Sequence, residues 1–311
     1  MDESRPLLQI AVTLDRAGRR AEAESIYRDI LKRWPAEPNA SYCLSTHLLA
    51  RGEDREGWAL YESRTEVPQT GIRKPKASYP EWKGEAVSSL LVFPEQGFGD
   101  QIMFARYVPL LRARGVRVTL LCRPELARLF EALDVQVIPA SGEVSLPRHD
   151  AWCLIGSLPH LVGGAPSGIY LPERAGGVGV GYCASGNPAH VNDANRSMGA
   201  DARRALEAVG PLVSLHPEDS GAADFQDTAE IIAGLALVLS VDTAVAHLAG
   251  AMGKPTWLML PAAEPEWRWG RDEDHTPLYP SVRLFRQAEP GAWLPLIDRI
   301  SRDLKVSGLL G

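Results

Sequence analysis

From residue 90 onward, short apolar runs bounded by turn residues alternate with helix-length stretches, in two successive series. Strands that alternate with helices imply a parallel sheet covered on both faces. In the first series, 90–93, 116–122, 135–138 and 151–155 read as strands, with helices expected over 101–114 and 124–133. The second series starts at Gly176. Its strands are expected at 178–182, 212–215, 235–239 and 256–260, its helices near 200–209, 227–234 and 243–252, and a final helix over 292–304.

Two such halves, each just over a hundred residues, predict an α/β chain with a pair of Rossmann-type parallel-sheet domains and a site between them. Ligands of these sheets sit outside the carboxyl ends of the strands, so the loops there are the ones to inspect.

The first 67 residues are different. Ile26, Tyr27, Ile30, Leu31 and Trp34 fall at helical spacing. A period of 34 residues pairs Ile10 with Leu44, Leu14 with Leu48, Gly18 with Gly52 and Tyr27 with Tyr61. Each glycine stands where one helix must turn into the next, and Pro35 and Pro38 stop the second helix. Helix-turn-helix units of this period are the tetratricopeptide signature. A plain pair of helical hairpins with no binding role is the simpler alternative. Residues 68–86 are rich in Pro, Lys and polar residues and read as a linker. The expected organisation is therefore 1–67 all-α, 68–86 linker, 87–172 an acceptor-side domain and 173–311 a donor-side domain.

Composition narrows the partners. A formal net charge of -6 argues against a broad nucleic-acid or anionic-membrane surface, which would need clustered basic residues. Cys43, Cys122, Cys153 and Cys183 form no CxxC pair and no Cys/His cluster, and read as small buried apolar residues. No apolar run reaches spanning length, and residues 1–6 lack the basic and apolar regions of a signal peptide. A cytoplasmic location is expected.

Four stretches could carry chemistry. Pro94-Glu95-Gln96-Gly97-Phe98-Gly99-Asp100 follows the first strand and opens a helix. Gly97 and Gly99 would let the backbone approach a ligand, and Gln96 lies in the same loop. Asp100 reads either as an N-cap or as a general base at the mouth of the cleft. Ser240-Val241-Asp242-Thr243 ends a strand and leads through Ala244 into a small-residue helix. The free N–H groups and positive dipole end of that helix suit a diphosphate. Thr243 can add a hydroxyl, and His247 shares its helix face. Asp242 would repel phosphate and fits a helix cap or a contact to sugar hydroxyls. The alternative is plain Ser/Asp/Thr capping with a core histidine.

The loop from Gly186-Asn187-Pro188 to Asn192-Asp193 and Arg196-Ser197 is long and polar enough to fold over a ligand. Arg196 could pair with phosphate oxygens or form an ordinary surface ion pair. Glu266-Trp267-Arg268-Trp269, with Tyr279-Pro280 and Arg283-Leu284-Phe285-Arg286-Gln287, could stack a base or sugar, or serve as core. Asp272-Glu273-Asp274 reads as a solvated charge run, so no metal is expected.

In combination and order these stretches resemble bacterial proteins in which tetratricopeptide repeats precede a GT-B module related to the heptosyltransferases. The matching blocks are Pro80-Glu81-Trp82-Lys83-Gly84, Glu95 to Asp100, Phe104-Ala105-Arg106-Tyr107, Gly186-Asn187-Pro188 with Arg196-Ser197, Ser240 to Gly250, Trp267-Arg268-Trp269 and Leu284-Phe285-Arg286-Gln287. The resemblance spans roughly residues 80–304. It implies an inverting transfer of a sugar from a nucleotide-sugar, which is a substrate, with no cofactor and no bound metal. It maps the base to Asp100 and the donor-phosphate contacts to Asp242, Thr243 and His247, with Ala244 in the same turn and Arg196 as a looser match; Asn187, like Asp242, is a candidate for a sugar contact or a helix cap. Some members of that family modify flagellin, so a protein acceptor bound through the repeat segment is implied. His216 departs from the pattern, since relatives often carry glutamine there. A non-catalytic adaptor with a degenerate GT-B module, or a nucleotide-sugar epimerase, are the other functions the same architecture allows.

Overall fold

The computed structural model describes residues 4–309 except 165, 167, 168, 173–175 and 272. The chain forms two units: residues 1–78 with 157–165 and 266–272, and residues 79–156 with 166–265 and 273–311.

The first unit is helical. Helices α1 (Arg5–Arg16), α2 (Arg20–Arg33), α3 (Pro38–Leu49) and α4 (Asp54–Tyr61) run in sequence. Gly18 and Gly52 turn the first of each pair into the second at φ of 76° and 74°. A side chain is strained at such angles and glycine is not. Pro38 opens α3, and the Glu37 carboxylate before it accepts the Ala40 N–H. Ala11, Ala23, Tyr27, Ile30, Ala40, Leu44 and Leu48 form the core of this unit.

The 34-residue period holds for the glycines and for Tyr27 and Tyr61, both fully buried. It slips by one residue between α1 and α3, which begin at Arg5 and Pro38. Ala11, not Ile10, therefore matches Leu44 in burial, and Ile10 is half exposed.

The second unit holds two wholly parallel sheets, as the alternation predicts. The first contains β1 (Ser89–Phe93), β2 (Arg117–Cys122), β3 (Gln136–Pro139) and β4 (Ala151–Leu154), in the order β3-β2-β1-β4. The second contains β5 (Val180–Cys183), β6 (Leu212–Ser214), β7 (Leu237–Val241), β8 (Thr256–Leu260) and β9 (Val282–Arg286), in the order β6-β5-β7-β8-β9. Every residue of β7 is buried, as in a strand covered on both faces.

The expected helix over 101–114 is in fact two helices, α5 (Phe98–Ala105) and α6 (Val108–Ala113). Pro109 explains the break. Its ring removes an N–H and clashes with the carbonyl four residues back, on Ala105, where α5 stops. The expected 124–133 helix is a 3-10 turn, α7 (Ala127–Phe130) and a second 3-10 turn. A short helix, α8 (Leu158–Val162), belongs to the helical unit. Beyond β5 come α9 (Asp193–Arg196), α10 (Ala200–Glu207), α11 (Pro217–Ser220), α12 (Phe225–Ala233), α13 (Ala244–Ala251) and α14 (Trp293–Ser307).

β9 has no counterpart among the expected strands. Arg283 and Arg286 interrupt its apolar run, but it is an edge strand whose arginines lie partly outside, Arg283 against Asp303. Residues 68–86 contain a 3-10 turn at Pro68–Thr70. Their end pairs with the first sheet: Trp82 N–H donates to the Trp152 carbonyl and Trp152 N–H to the Pro80 carbonyl.

Lys254 ties the second sheet together. Its buried ammonium donates to the carbonyls of Gly176, Ala233 and Leu235, which precede β5, end α12 and lead into β7. Methionine fills the same volume but leaves three carbonyls without that donor. Lys254→Met should lower unfolding stability by about 3 kcal/mol in urea titration. A change under about 0.5 kcal/mol would show that the lysine is not a structural tie.

Candidate active site

Strand order locates the site before any side chain does. In the second sheet the order reverses between β5 and β7, and such a switch point opens a crevice at the carboxyl ends of the strands. β5 runs into the loop that begins at Ser185, and β7 into Asp242 and Thr243. In the first sheet the reversal lies between β1 and β4, and β1 runs into Pro94 to Gly97. These are three of the four stretches singled out in the sequence.

Thr243, not Asp242, is the N-cap of α13, and its side chain makes no capping hydrogen bond. That corrects the helix-cap role expected for Asp242, which stands one residue outside. Ala244 and Val245 open the helix, so their N–H groups belong to the set that an α-helix cannot satisfy internally.

The Thr243 hydroxyl turns inward. It lies 3.1 Å from Ser240 Oγ and 3.7 Å from Cys183 Sγ. Ser240 gives its proton to the Val241 carbonyl, and Cys183, whose thiol burial pushes its pKa up, gives its own to Ser185. The Thr243 proton is thus shared between Ser240 and Cys183. What this turn offers an anion is its backbone N–H groups.

Arg196 links the polar loop to this turn. Its Nε donates to Asp193 Oδ1 at 3.2 Å and its Nη1 to the Asp242 carbonyl at 3.0 Å. Gly186 makes room for it: a Cβ there would stand 2.6 Å from Arg196 Nη2. Ser197 accepts the Gly186 N–H and donates to Asp193, which closes the loop on itself. Arg196 is therefore an anchored brace, only 13% exposed, rather than a loose surface cation. Asn187 is exposed and uses its side-chain oxygen to accept the Ala189 N–H. Asn192 reaches the carbonyl of Glu264, beyond β8.

The loop after β1 comes to the same place. Gly97 is the N-cap of α5 and Asp100 is its third residue. Asp100 Oδ2 accepts the Gly97 N–H at 3.0 Å, so it caps from inside the helix rather than from the N-cap position. Gln96 has a left-handed backbone at φ 59°, and Glu264 one at φ 46°. Such angles cost a non-glycine residue energy and gather at functional sites.

From sequence, Gly99 is expected to let the backbone approach a ligand; in the structure it lies against a helix instead. Its missing side chain is replaced by α13: a Cβ would lie 2.8 Å from His247 Cδ2 and 3.5 Å from the Ala244 Cα. The first turns of α5 and α13 are therefore in direct contact. His247 is buried there, with Nδ1 3.1 Å from the Tyr279 hydroxyl. Sequence reasoning noted Tyr279 but not this bond, which spans 32 residues and leaves no periodic trace. Elsewhere Arg128 pairs with Asp224, the N-cap of α12, and with Asp227 in its first turn, and Phe98 meets Phe225 at 5.0 Å.

Trp267 and Trp269 are not part of this site. They lie in the helical unit, Trp267 against Trp58 and Tyr61, and Trp269 fully buried. Arg268 lies over Trp267 and pairs with Glu266. Asp272 lies outside the described residues, and Asp274 pairs with His275. Among the described residues no group of His, Cys, Asp and Glu could hold a metal ion, and no helix is long and apolar enough to cross a membrane.

The site and fold define a two-sheet α/β unit with an uncapped helix terminus at the switch point of its second sheet. No family model matches the chain. Protein FlbA of Caulobacter vibrioides is 26% identical over 337 residues, which cover 85% of this chain and 54% of that protein. The chain spans about half the length of this curated relative. Among solved structures, E. coli heptosyltransferase WaaC with ADP is 12% identical, with a TM-score of 0.47 over 71% of this chain and 98% of that one. E. coli ADP-heptose lps heptosyltransferase II gives 11% and 0.45 over 70% and 98%. The iron-containing dodecameric glycosyltransferase TibC of enterotoxigenic E. coli gives 14% and 0.44 over 75% and 81%. At these scores and identities none of the likenesses assigns a role to a residue of this chain.

His216 fills its unusual position with a specific bond. Its Nε2 accepts the Ala184 N–H at 3.1 Å, at the end of β5. Burial first, and Arg203 second, hold its pKa below the usual histidine value of 6.5. The unfolded chain then takes up a proton at a higher pH than the folded one. Stability should be fully present above about pH 6.5 and fall as pH drops through the lower folded value. His216→Gln can accept the same N–H without titrating. Unfolding titrations between pH 7 and 5 should show a shallower loss for the variant. Identical pH profiles would remove His216 from the account.

Proposed function

We propose that this chain is an inverting glycosyltransferase of the GT-B type, acting on a nucleotide-sugar. The contact of the first turns of α5 and α13 at Gly99 carries this reading, because it brings the helix start that holds Asp100 against a helix start whose free N–H groups suit an anion. The diphosphate of the donor would lie on the Ala244 and Val245 N–H groups, at the positive end of the α13 dipole. Arg196 would hold the turn that presents them, through the Asp242 carbonyl.

In the reaction Asp100 takes the proton of an acceptor hydroxyl. The acceptor oxygen bonds to the anomeric carbon, and the bond from that carbon to the terminal phosphate oxygen breaks. The nucleoside diphosphate leaves with both electrons, and its growing charge meets N–H donors already in place. Asn187 and Asp242 are the candidates for sugar hydroxyls. In the helical unit, the spacing of Gly18 and Gly52 supports a tetratricopeptide reading, with a protein such as flagellin as the acceptor it would receive.

A second reading has one observation behind it. The Thr243 hydroxyl is turned inward and Arg196 is engaged by Asp193 and Asp242, which leaves fewer donors for a diphosphate than the resemblance implies. A non-catalytic adaptor would fit that.

One experiment separates the two. Thermal shift with the adenosine, uridine, guanosine and cytidine diphosphates and their sugar conjugates, ADP-heptose included, should find a ligand. With that donor, Asp100→Asn should lose about 10²–10⁴-fold in turnover while the nucleoside diphosphate Kd stays within about twofold. Full turnover in the variant would rule out Asp100 as the base, and no shift with any nucleotide would favour the adaptor.

A further inference from the structure

Arg106 and Tyr279 are buried polar residues to which the proposed reaction gives no role. Arg106 directly follows α5 and is 5% exposed. Among the described residues its hydrogen-bond partners are the carbonyls of Met103, Pro166 and Leu278, with no carboxylate. Its buried Nη2 makes no hydrogen bond among the described residues. The guanidinium instead lies 4.5 Å from the centroid of the Tyr279 ring. A buried cation placed on an aromatic face gains electrostatically from the ring. It also draws electron density from that ring, which makes the phenol a better hydrogen-bond donor.

The Tyr279 ring lies flat on α13. A Cβ on Gly250 would stand 2.5 Å from its Cγ, so glycine is needed there. Three residues earlier on α13, His247 Nδ1 meets the Tyr279 hydroxyl at 3.1 Å. The opposite edge of the imidazole, with Cδ2 and Nε2, faces Gly99 of α5. The four groups form a closed circuit: α5 carries Arg106 at its end, Arg106 braces Tyr279, Tyr279 holds His247, and His247 returns to the first turn of α5.

We infer that Arg106 and Tyr279 are positioning residues that lock His247 in the Nε2–H tautomer. With Tyr279 donating to Nδ1, the proton must sit on Nε2, the nitrogen on the edge facing the first turn of α5. His247 then turns its Nε2–H toward the departing diphosphate. This last step rests on the proposed donor site, whereas the tautomer lock does not.

The test uses the full chain labelled with ¹⁵N-histidine, whose long-range ¹H–¹⁵N correlations distinguish the two tautomers. His247→Asn assigns the signals among the seven histidines. Wild type should show His247 as the Nε2–H form. Tyr279→Phe should release it to a tautomer mixture, and nucleoside diphosphate Kd should rise about fivefold to tenfold, the loss of one oriented hydrogen bond. Arg106→Met should partly release it, and Arg106→Lys should restore the single form. A wild-type Nδ1–H tautomer would overturn the inference even if every variant failed to fold. So would an unchanged Nε2–H form in folded Tyr279→Phe. If the lock is found but no nucleoside diphosphate moves the His247 signals, the lock stands and the donor site falls.

Discussion

A missing methyl group sets the distance between two helices. At Gly99 a Cβ would enter the His247 ring, and only glycine lets the first turn of α5 lie against the first turn of α13. Each helix begins at the carboxyl end of a central strand, β1 in one sheet and β7 in the other. The contact therefore joins the two places where parallel sheets hold ligands. Asp100, Ala244 and His247 owe their proximity to it, and so does any reaction that needs a carboxylate and an anion site together.

The surroundings brace this contact from several sides. Arg196 holds the carbonyl of Asp242 and so fixes the turn into α13. Tyr279 holds the far nitrogen of His247, in the slot left by Gly250. Arg128 bridges α7 to the start of α12 through Asp224 and Asp227. Exposed ion pairs like this one contribute little each. The buried contacts matter more, because a close-packed interior resists small shifts.

The sheets were legible in the sequence because their signal is local. Strands covered on both faces read as unbroken apolar runs, and β7 and β8 lie within two residues of where those runs place them. β9 was hidden because an edge strand can carry Arg283 and Arg286. Pro109 announced the break between α5 and α6, but its effect falls four residues upstream, on Ala105, where a single helix otherwise reads well.

The site was legible as stretches and not as bonds. Loop 94–100, the turn at Ser240 to Thr243 and the loop to Arg196 do converge, and the strand-end rule anticipates that. Which atoms meet depends on contacts between residues far apart in sequence, such as His247 with Tyr279 or Gly99 with His247. Asp242 lost the cap to Thr243, and Gly99 proved to admit a helix instead of a ligand. The most direct measurement is an amide NMR titration of the full chain with ADP and UDP. The account predicts that the Ala244 and Val245 amides move first and furthest, with Gly99 following through the helix contact. Saturable shifts confined to other residues, or none with either nucleotide, would contradict it.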